Sequence, residues 1–197
     1  MSGYEPSSLD VALASLALGT ILRPYYARLV RGLGLQGNER LIDFGSGPGA
    51  AAVHLAAALS EGGGQVTCVD VSLAWLRAAR RTTERFSNVA FKLGEIAALD
   101  IPDGAYDLVF IHFVLHDIPV RKRPETVRHL AAKLRAHRAD GTVGRLFLRE
   151  PTGKGHGMSP DEIDRLMTGA GLQPVSLETG RLLGIQPICS GLYVKPG

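Results

Sequence analysis

The residues best able to do chemistry stand in one short run, Leu41-Ile42-Asp43-Phe44-Gly45-Ser46-Gly47-Pro48-Gly49. Apolar residues lead into a turn whose glycines can take positive φ and let a ligand touch the backbone. Pro48 is suited to open a helix, so the free N–H groups of a first helical turn would face that ligand. The next apolar run ends in an acid, Asp70, placed to accept both hydroxyls of a ribose. Turn and acid together point to a bound nucleoside. Read as GxGxxG/A through Gly45, Gly47 and Ala50, the turn would hold a dinucleotide pyrophosphate. Asp43 argues against phosphate by like-charge repulsion and suits a ligand bearing an ammonium or sulfonium charge. A tight turn with an acid bonded to its own backbone is the plain structural alternative.

A second group lies near the middle of the chain. His112 and His116 follow an apolar run, and Asp117 is next to His116. An imidazole titrates near neutrality and can take a proton from an attacking group. The histidine spacing would suit a metal on a helix, but no third ligand follows in a recognisable pattern, so no metal is expected. Tyr25 and Tyr26, after Arg23-Pro24, are candidates to touch the ligand. Thr152-Gly153-Lys154-Gly155-His156-Gly157 is a candidate gating loop; its spacing fails the phosphate-loop pattern. From Arg121 to Arg138 seven basic residues stand against Glu125. Such a stripe could follow a nucleic-acid backbone, yet no aromatic residues interleave it to stack on bases.

The elements that must hold these residues alternate. Arg40–Phe44, Gln65–Asp70, Val89–Leu93, Asp107–Phe113 and Gly144–Arg149 read as buried strands, and Pro48–Leu59, Ser72–Arg81, Pro124–His137 and Ser159–Ala170 as helices. Ser159-Pro160-Asp161-Glu162 is a capping box with proline at the first helical position. The helix at Pro124 is expected to bury Val127, Leu130, Ala131 and Leu134. Alternation of this kind predicts a parallel sheet covered by helices on both faces. The tail, where Val175–Glu178, Arg181–Ile188 and Ser190–Lys195 contain two strand candidates and no helix between them, predicts a late hairpin with one antiparallel strand.

These motifs resemble those of the class I S-adenosylmethionine-dependent methyltransferases, in their small-molecule branch, over residues 38–150 and more loosely beyond. DFGSGPG looks like that family's first motif, which implies Asp43, Gly45, Ser46, Gly47 and Gly49 around the methionine moiety. CVDVS matches the ribose-binding acid, Asp70, followed by Val71. Asn88-Val89-x-Phe91-x-x-Gly94-Glu95-Ile96 is similar to the third strand and the turn that cradles adenine, with Glu95 where the family often has Asp or Asn. Tyr106-Asp107-Leu108-Val109, through Leu115-His116, resembles the fourth strand and its exit. The resemblance puts the backbone of His112 in the cofactor pocket, and His112, His116, Tyr25 and Tyr26 toward the substrate. The Asn/Asp-Pro-Pro-aromatic turn of enzymes that methylate amino groups of bases or glutamine is replaced by His112-Phe113-Val114-Leu115. The resemblance implies a Rossmann-like, doubly wound, seven-stranded α/β sheet, mostly parallel with one antiparallel strand near the C-terminus.

Composition agrees with this frame. The 197 residues are 45% hydrophobic and 21% charged, with a formal net charge of +3, which excludes disordered, collagen-like and coiled-coil classes. Two distant cysteines, Cys68 and Cys189, exclude a disulfide scaffold and suit a reducing compartment. The longest apolar run, Leu9–Leu22, is too short to span a bilayer. Glu5 and Asp10 replace the basic region of a signal peptide, so a helix packed on the domain is expected there. The expectation is a cytoplasmic methyltransferase of one domain, with residues 1–36 as a helical cap on residues 37–197. It would use S-adenosyl-L-methionine on a small-molecule acceptor, with His116 as candidate base. A methyltransferase for RNA or another anionic macromolecule using the basic stripe 121–138, or a nucleoside-binding module without turnover, is the alternative. The oligomeric state is not legible.

Overall fold

The apolar runs of the N-terminal half form three parallel strands, β1 (Arg40–Phe44), β2 (Gln65–Asp70) and β3 (Val89–Leu93), in the order β3-β2-β1. They are seen in a computed structural model that describes residues 5–16, 22–136, 142–153, 155 and 157–196. Phe44 lies opposite Val69 and Asp70 opposite Leu93, so the three strands end along one edge. Turns that follow parallel strands gather at that edge, where α/β sheets bind ligands. β1 and β2 are buried after their first residue, as strands covered on both faces must be. β3 corrects the expectation of a buried strand. It is an outer strand, half-buried or exposed throughout, with the Arg80 guanidinium 4.6 Å from the Phe91 ring centre.

Helices α1 (Ser8–Leu16), α2 (Arg23–Gly32), α3 (Ala52–Leu59) and α4 (Leu73–Thr82) complete this unit, which ends at Leu99. α2 buries Tyr26, Leu29 and Val30, with Leu33 just beyond, on one helical stripe. α3 begins at Ala52 and not at Pro48 as the sequence suggested. Gly47 and Gly49 take φ of +49° and +83°, and left-handed residues cannot join a right-handed helix. A Cβ on Gly49 would also stand 2.9 Å from the Ala79 Cα of α4, so the turn packs there only as glycine. The expected packed helix Leu9–Leu22 is also revised. α1 buries Val11 but leaves Leu9, Leu13 and Leu16 exposed, and residues 17–21 lie outside the described residues.

The second unit, from Asp100 onward, contains β4 (Leu108–His112), α5 (Arg123–Lys133), β5 (Arg145–Pro151), α6 (Pro160–Gly169), β6 (Gln173–Leu182) and β7 (Gln186–Val194). Its strand order is β4-β5-β7-β6. β4 and β5 are parallel with His112 opposite Arg149, and β7 runs antiparallel to both β5 and β6. The two units therefore contain the seven strands of the expected Rossmann-like sheet, mostly parallel with one antiparallel strand. The Ser159 hydroxyl accepts the Glu162 N–H at 3.1 Å, so Ser159 is the N-cap, while the Glu162 carboxylate pairs with Arg123 and does not close the expected capping box. α5 buries Val127, Leu130 and Ala131 as expected, but it stops at Lys133, short of His137. Leu134 leaves the helix to bridge to Tyr106, and the Arg135 N–H donates to the Tyr106 carbonyl at 2.9 Å.

Candidate active site

In the first unit the glycine turn and the two acids come together. Gly45 and Ser46 donate their N–H groups to the Val69 carbonyl at 2.8 and 3.2 Å, which fastens the turn to the end of β2. Asp70 closes the arrangement: one carboxylate oxygen accepts the Gly47 N–H at 2.9 Å and the other the Ser72 N–H at 3.0 Å. Burial lifts the Asp70 carboxyl, against the pull of those N–H groups. Asp43 is 3% exposed, and its Oδ2 has no hydrogen-bond partner. Burial first, then the charge of Asp70, push its carboxyl up to about 7. A buried carboxylate oxygen without a donor is costly, and a cation or an N–H donor from a ligand would relieve it.

Gly94 donates its N–H to the Asp70 carbonyl at 3.0 Å, which brings the turn after β3 beside the same edge. There Ile96 is buried while Glu95 is exposed, and Val71 is 54% exposed. Tyr26 is buried, its ring 5.0 Å from that of half-buried Tyr25. Burial, Tyr25 and Asp43 all raise the Tyr26 hydroxyl above its ordinary range, so Tyr26 is neutral and within electrostatic reach of Asp43. One contact was not foreseen. The Glu5 carboxylate accepts the Ser72 hydroxyl at 2.8 Å and the Leu73 N–H at 2.9 Å, tying the N-terminal segment to the start of α4. A carboxylate at a helix N-terminus satisfies donors that the helix itself leaves free.

The second unit positions the histidines. Phe113, after β4, takes φ of +58°, a strain of roughly 1–3 kcal/mol for a residue other than glycine. Its N–H donates to the Arg149 carbonyl at 2.8 Å, and the chain then turns through a short 3-10 turn at Leu115–Asp117. His112 and His116 therefore stand on a strand and a tight turn, not on the one helix that a metal-ligand spacing would need. Burial, then the Arg149 charge, pull the His112 imidazole down to about 3, so it is neutral near pH 7. His116 moves the other way. Burial lowers it, but the hydrogen bond and charge of Glu150, with the charge of Asp117, outweigh that and raise it.

Glu150 is the residue that the sequence reading missed. It is fully buried, and His116 Nδ1 lies 2.8 Å from its Oε2. The available signal was an acid at the end of a buried strand, one residue past the Gly144–Arg149 run. Arg123, expected as part of a solvated stripe, is buried as well. It donates to the carbonyls of Ile118 and His116 at 2.9 and 2.8 Å and pairs with Glu162 at 2.6 Å. Lys133 pairs with Asp103 at 2.6 Å, and Arg135 with Asp107 at 2.8 Å. Three of the seven cations of the stripe are therefore held inside the fold; Arg138 lies outside the described residues. In the glycine-rich loop Gly157 donates to the Gly153 carbonyl at 3.1 Å, and Lys154 and His156 lie outside the described residues.

Residues 41–137 match the methyltransferase domain family. The chain carries a methyltransferase domain. An uncharacterised 37.1 kDa protein of transposon TN4556 from Streptomyces fradiae is 32% identical over 147 residues, 75% of this chain and 39% of that protein. Demethylmenaquinone methyltransferase of Tropheryma whipplei is 31% identical over 86 residues, 44% of this chain and 34% of that enzyme. The chain thus spans less than two-fifths of the length of these curated relatives. A SAM-dependent methyltransferase from Aquifex aeolicus matches with a TM-score of 0.71 at 16% identity, over 86% of this chain and 89% of that one, a likeness of fold. The matched stretch of the methyltransferase domain contains Asp43, Asp70, Glu95, His112 and His116, whereas Glu150 lies beyond it.

Proposed function

We propose that this domain catalyses S-adenosylmethionine-dependent methyl transfer to a small-molecule acceptor. The unpartnered, buried Oδ2 of Asp43 carries the reading, because it lies at a glycine turn whose other acid, Asp70, suits a ribose. Asp43 would accept the cofactor's ammonium, and the glycine turn would let its methionine part lie against backbone. Asp70 would bind the ribose hydroxyls, with Ile96 and the turn at Glu95 against adenine. When bound, S-adenosylmethionine would supply a methyl group on a sulfonium, with in-line attack by an acceptor on the methyl carbon and S-adenosylhomocysteine as the leaving group. His116 would take the proton of a hydroxyl acceptor. Neutral His112, with its depressed imidazole, would be a wall and not a base.

The small-molecule acceptor is supported by the Tropheryma relative, named for demethylmenaquinone, and by the weakened basic stripe. Both cysteines are free and buried, and we place the domain in the cytoplasm on that ground. None of the described helices is long and apolar enough to cross a membrane. The test is release of S-adenosylhomocysteine when hydroxyl and amine acceptors are supplied with S-adenosylmethionine. Release that depends on RNA would replace the small-molecule acceptor. Cofactor binding without release from any acceptor would make the domain a nucleoside-binding module.

A further inference from the structure

Ser72, buried at the start of α4, stands between two carboxylates. Its N–H donates to Asp70 Oδ1 at 3.0 Å, and its hydroxyl donates to Glu5 Oε2 at 2.8 Å. The hydroxyl also accepts the Trp75 N–H at 3.2 Å, so its single hydrogen is the one given to Glu5. Glu5 Oε1 accepts the Leu73 N–H at 2.9 Å, and Oε2 lies 3.4 Å from the Ala74 N–H. The donors of the first turn of α4 are therefore taken by Glu5 and Ser72. These bonds, that from Ser72 first, hold the Glu5 carboxyl below its ordinary value, so it is ionised near neutrality. From the other side the Gly47 N–H holds Asp70 at 2.9 Å. Glu5, Ser72, Asp70 and Gly47 thus form one hydrogen-bonded chain from the N-terminal segment to the glycine turn.

The segment that carries Glu5 is itself fixed. The Ser7 hydroxyl accepts the Asp10 N–H at 3.2 Å while the Asp10 carboxylate accepts the Ser7 N–H at 3.1 Å, a reciprocal cap on α1. Pro6, between Glu5 and that cap, is buried.

We propose that Glu5 is a positioning residue for the cofactor, fixing the Asp70 carboxylate toward the ribose through Ser72. This rests on the reading of Asp70 as the ribose acid. The help is geometric, because the charge of Glu5 works against an ionised Asp70 and raises its carboxyl. What Glu5 supplies is a pinned helix start. With Ser72 held, its N–H and that of Gly47 each engage one Asp70 oxygen, so the plane of the carboxylate is set before a ribose arrives. A pre-organised site loses less freedom on binding.

A tether that only holds α1 would loosen that helix and leave Asp70 unmoved. Glu5→Gln separates the two, since an amide has one acceptor oxygen and cannot serve both the Ser72 hydroxyl and the Leu73 N–H. In the ligand-free chain it should speed amide exchange at Gly47 and Ser72, whose N–H groups bond to Asp70, by about threefold or more. Gly45 and Ser46, bonded to the Val69 carbonyl, should keep their rates. Calorimetry with S-adenosylhomocysteine and its 2′-deoxyribose analogue then reads the ribose contact. Wild type should prefer the ribose form by at least about tenfold. Glu5→Gln should cut that preference by about threefold or more, and should leave it unchanged when added to Asp70→Ala. Unchanged exchange at Gly47 and Ser72 would overturn the proposal, and so would equal weakening of both ligands in Glu5→Gln. If the wild type binds neither ligand, the methyltransferase reading fails instead, and the exchange rates still decide whether Glu5 positions Asp70.

Discussion

Asp43 combines burial, a neighbouring acid and an oxygen without a partner, and the three have consequences that pH can read. Its carboxyl is held up at about 7, above the value it has in an unfolded chain. A group with a raised folded-state value contributes stability that is complete below its unfolded value and is lost as pH rises through the folded one. The ligand-free protein should therefore lose stability through Asp43 between about pH 4 and 7. Bound S-adenosylmethionine supplies a cation, so its stabilising effect should grow with pH over the same span. Thermal melts of wild type and Asp43→Asn from pH 5 to 8, with and without cofactor, isolate this contribution. The variant should lack it and should bind the cofactor more weakly; parallel pH profiles for both proteins would remove Asp43 from the site. Asp43, Asp70 and the glycines were legible because a strand, a turn and the next strand are local in sequence. Glu150 was not, because it meets His116 across 34 residues, and only the parallel pairing of β4 with β5 brings them together.

At the scale of elements, the strands were read more accurately than the helices, and particular contacts explain where the helices differ. β1, β2 and β3 fall where the apolar runs lie. α3 starts late because of two left-handed glycines, and α5 stops early because Leu134 and Arg135 are drawn into a bridge with Tyr106. The charge pattern of α5 was the least legible part, since sequence cannot tell a solvated arginine from one buried against carbonyls and a glutamate. Arg123→Ala should cost roughly 1.5–3 kcal/mol, the worth of a lost hydrogen bond to a charged group, and more if Glu162 cannot reach water. Arg128→Ala, on the exposed face of the same helix, should change stability by less than about 0.5 kcal/mol. Urea titrations of the two variants decide this, and equal effects would return Arg123 to the solvated stripe. α1 offers a separate test. If Glu5 ties this segment to α4, Glu5→Ala should speed amide exchange in residues 8–16 and at Leu73 and Ala74 while β1 and β2 stay protected. Unchanged exchange at α1 would mean that Glu5 does not hold it.

At the scale of the whole molecule, alternation of strands and helices foretold the parallel sheet, and the helix-free tail foretold antiparallel β7. β6 is longer than its apolar residues suggested, because Gln173–Leu182 follows β7 as an outer strand and is exposed up to its last residue. Pattern reading finds strands by burial, and such a strand has little. A fold shared at 16% identity does not name a ligand, so the functional conclusion stands on Asp43 and Asp70. Calorimetric titration with S-adenosylmethionine, S-adenosylhomocysteine and NADH puts that conclusion to the most direct test. Saturable one-to-one binding of the first two is expected, with no heat from NADH, because Asp43 faces a cation well and a pyrophosphate badly. Asp70→Ala should weaken both by at least about tenfold, since a charge-assisted hydrogen bond is worth roughly 1.5–3 kcal/mol. Tight binding of NADH with no response to S-adenosylmethionine would contradict the assignment.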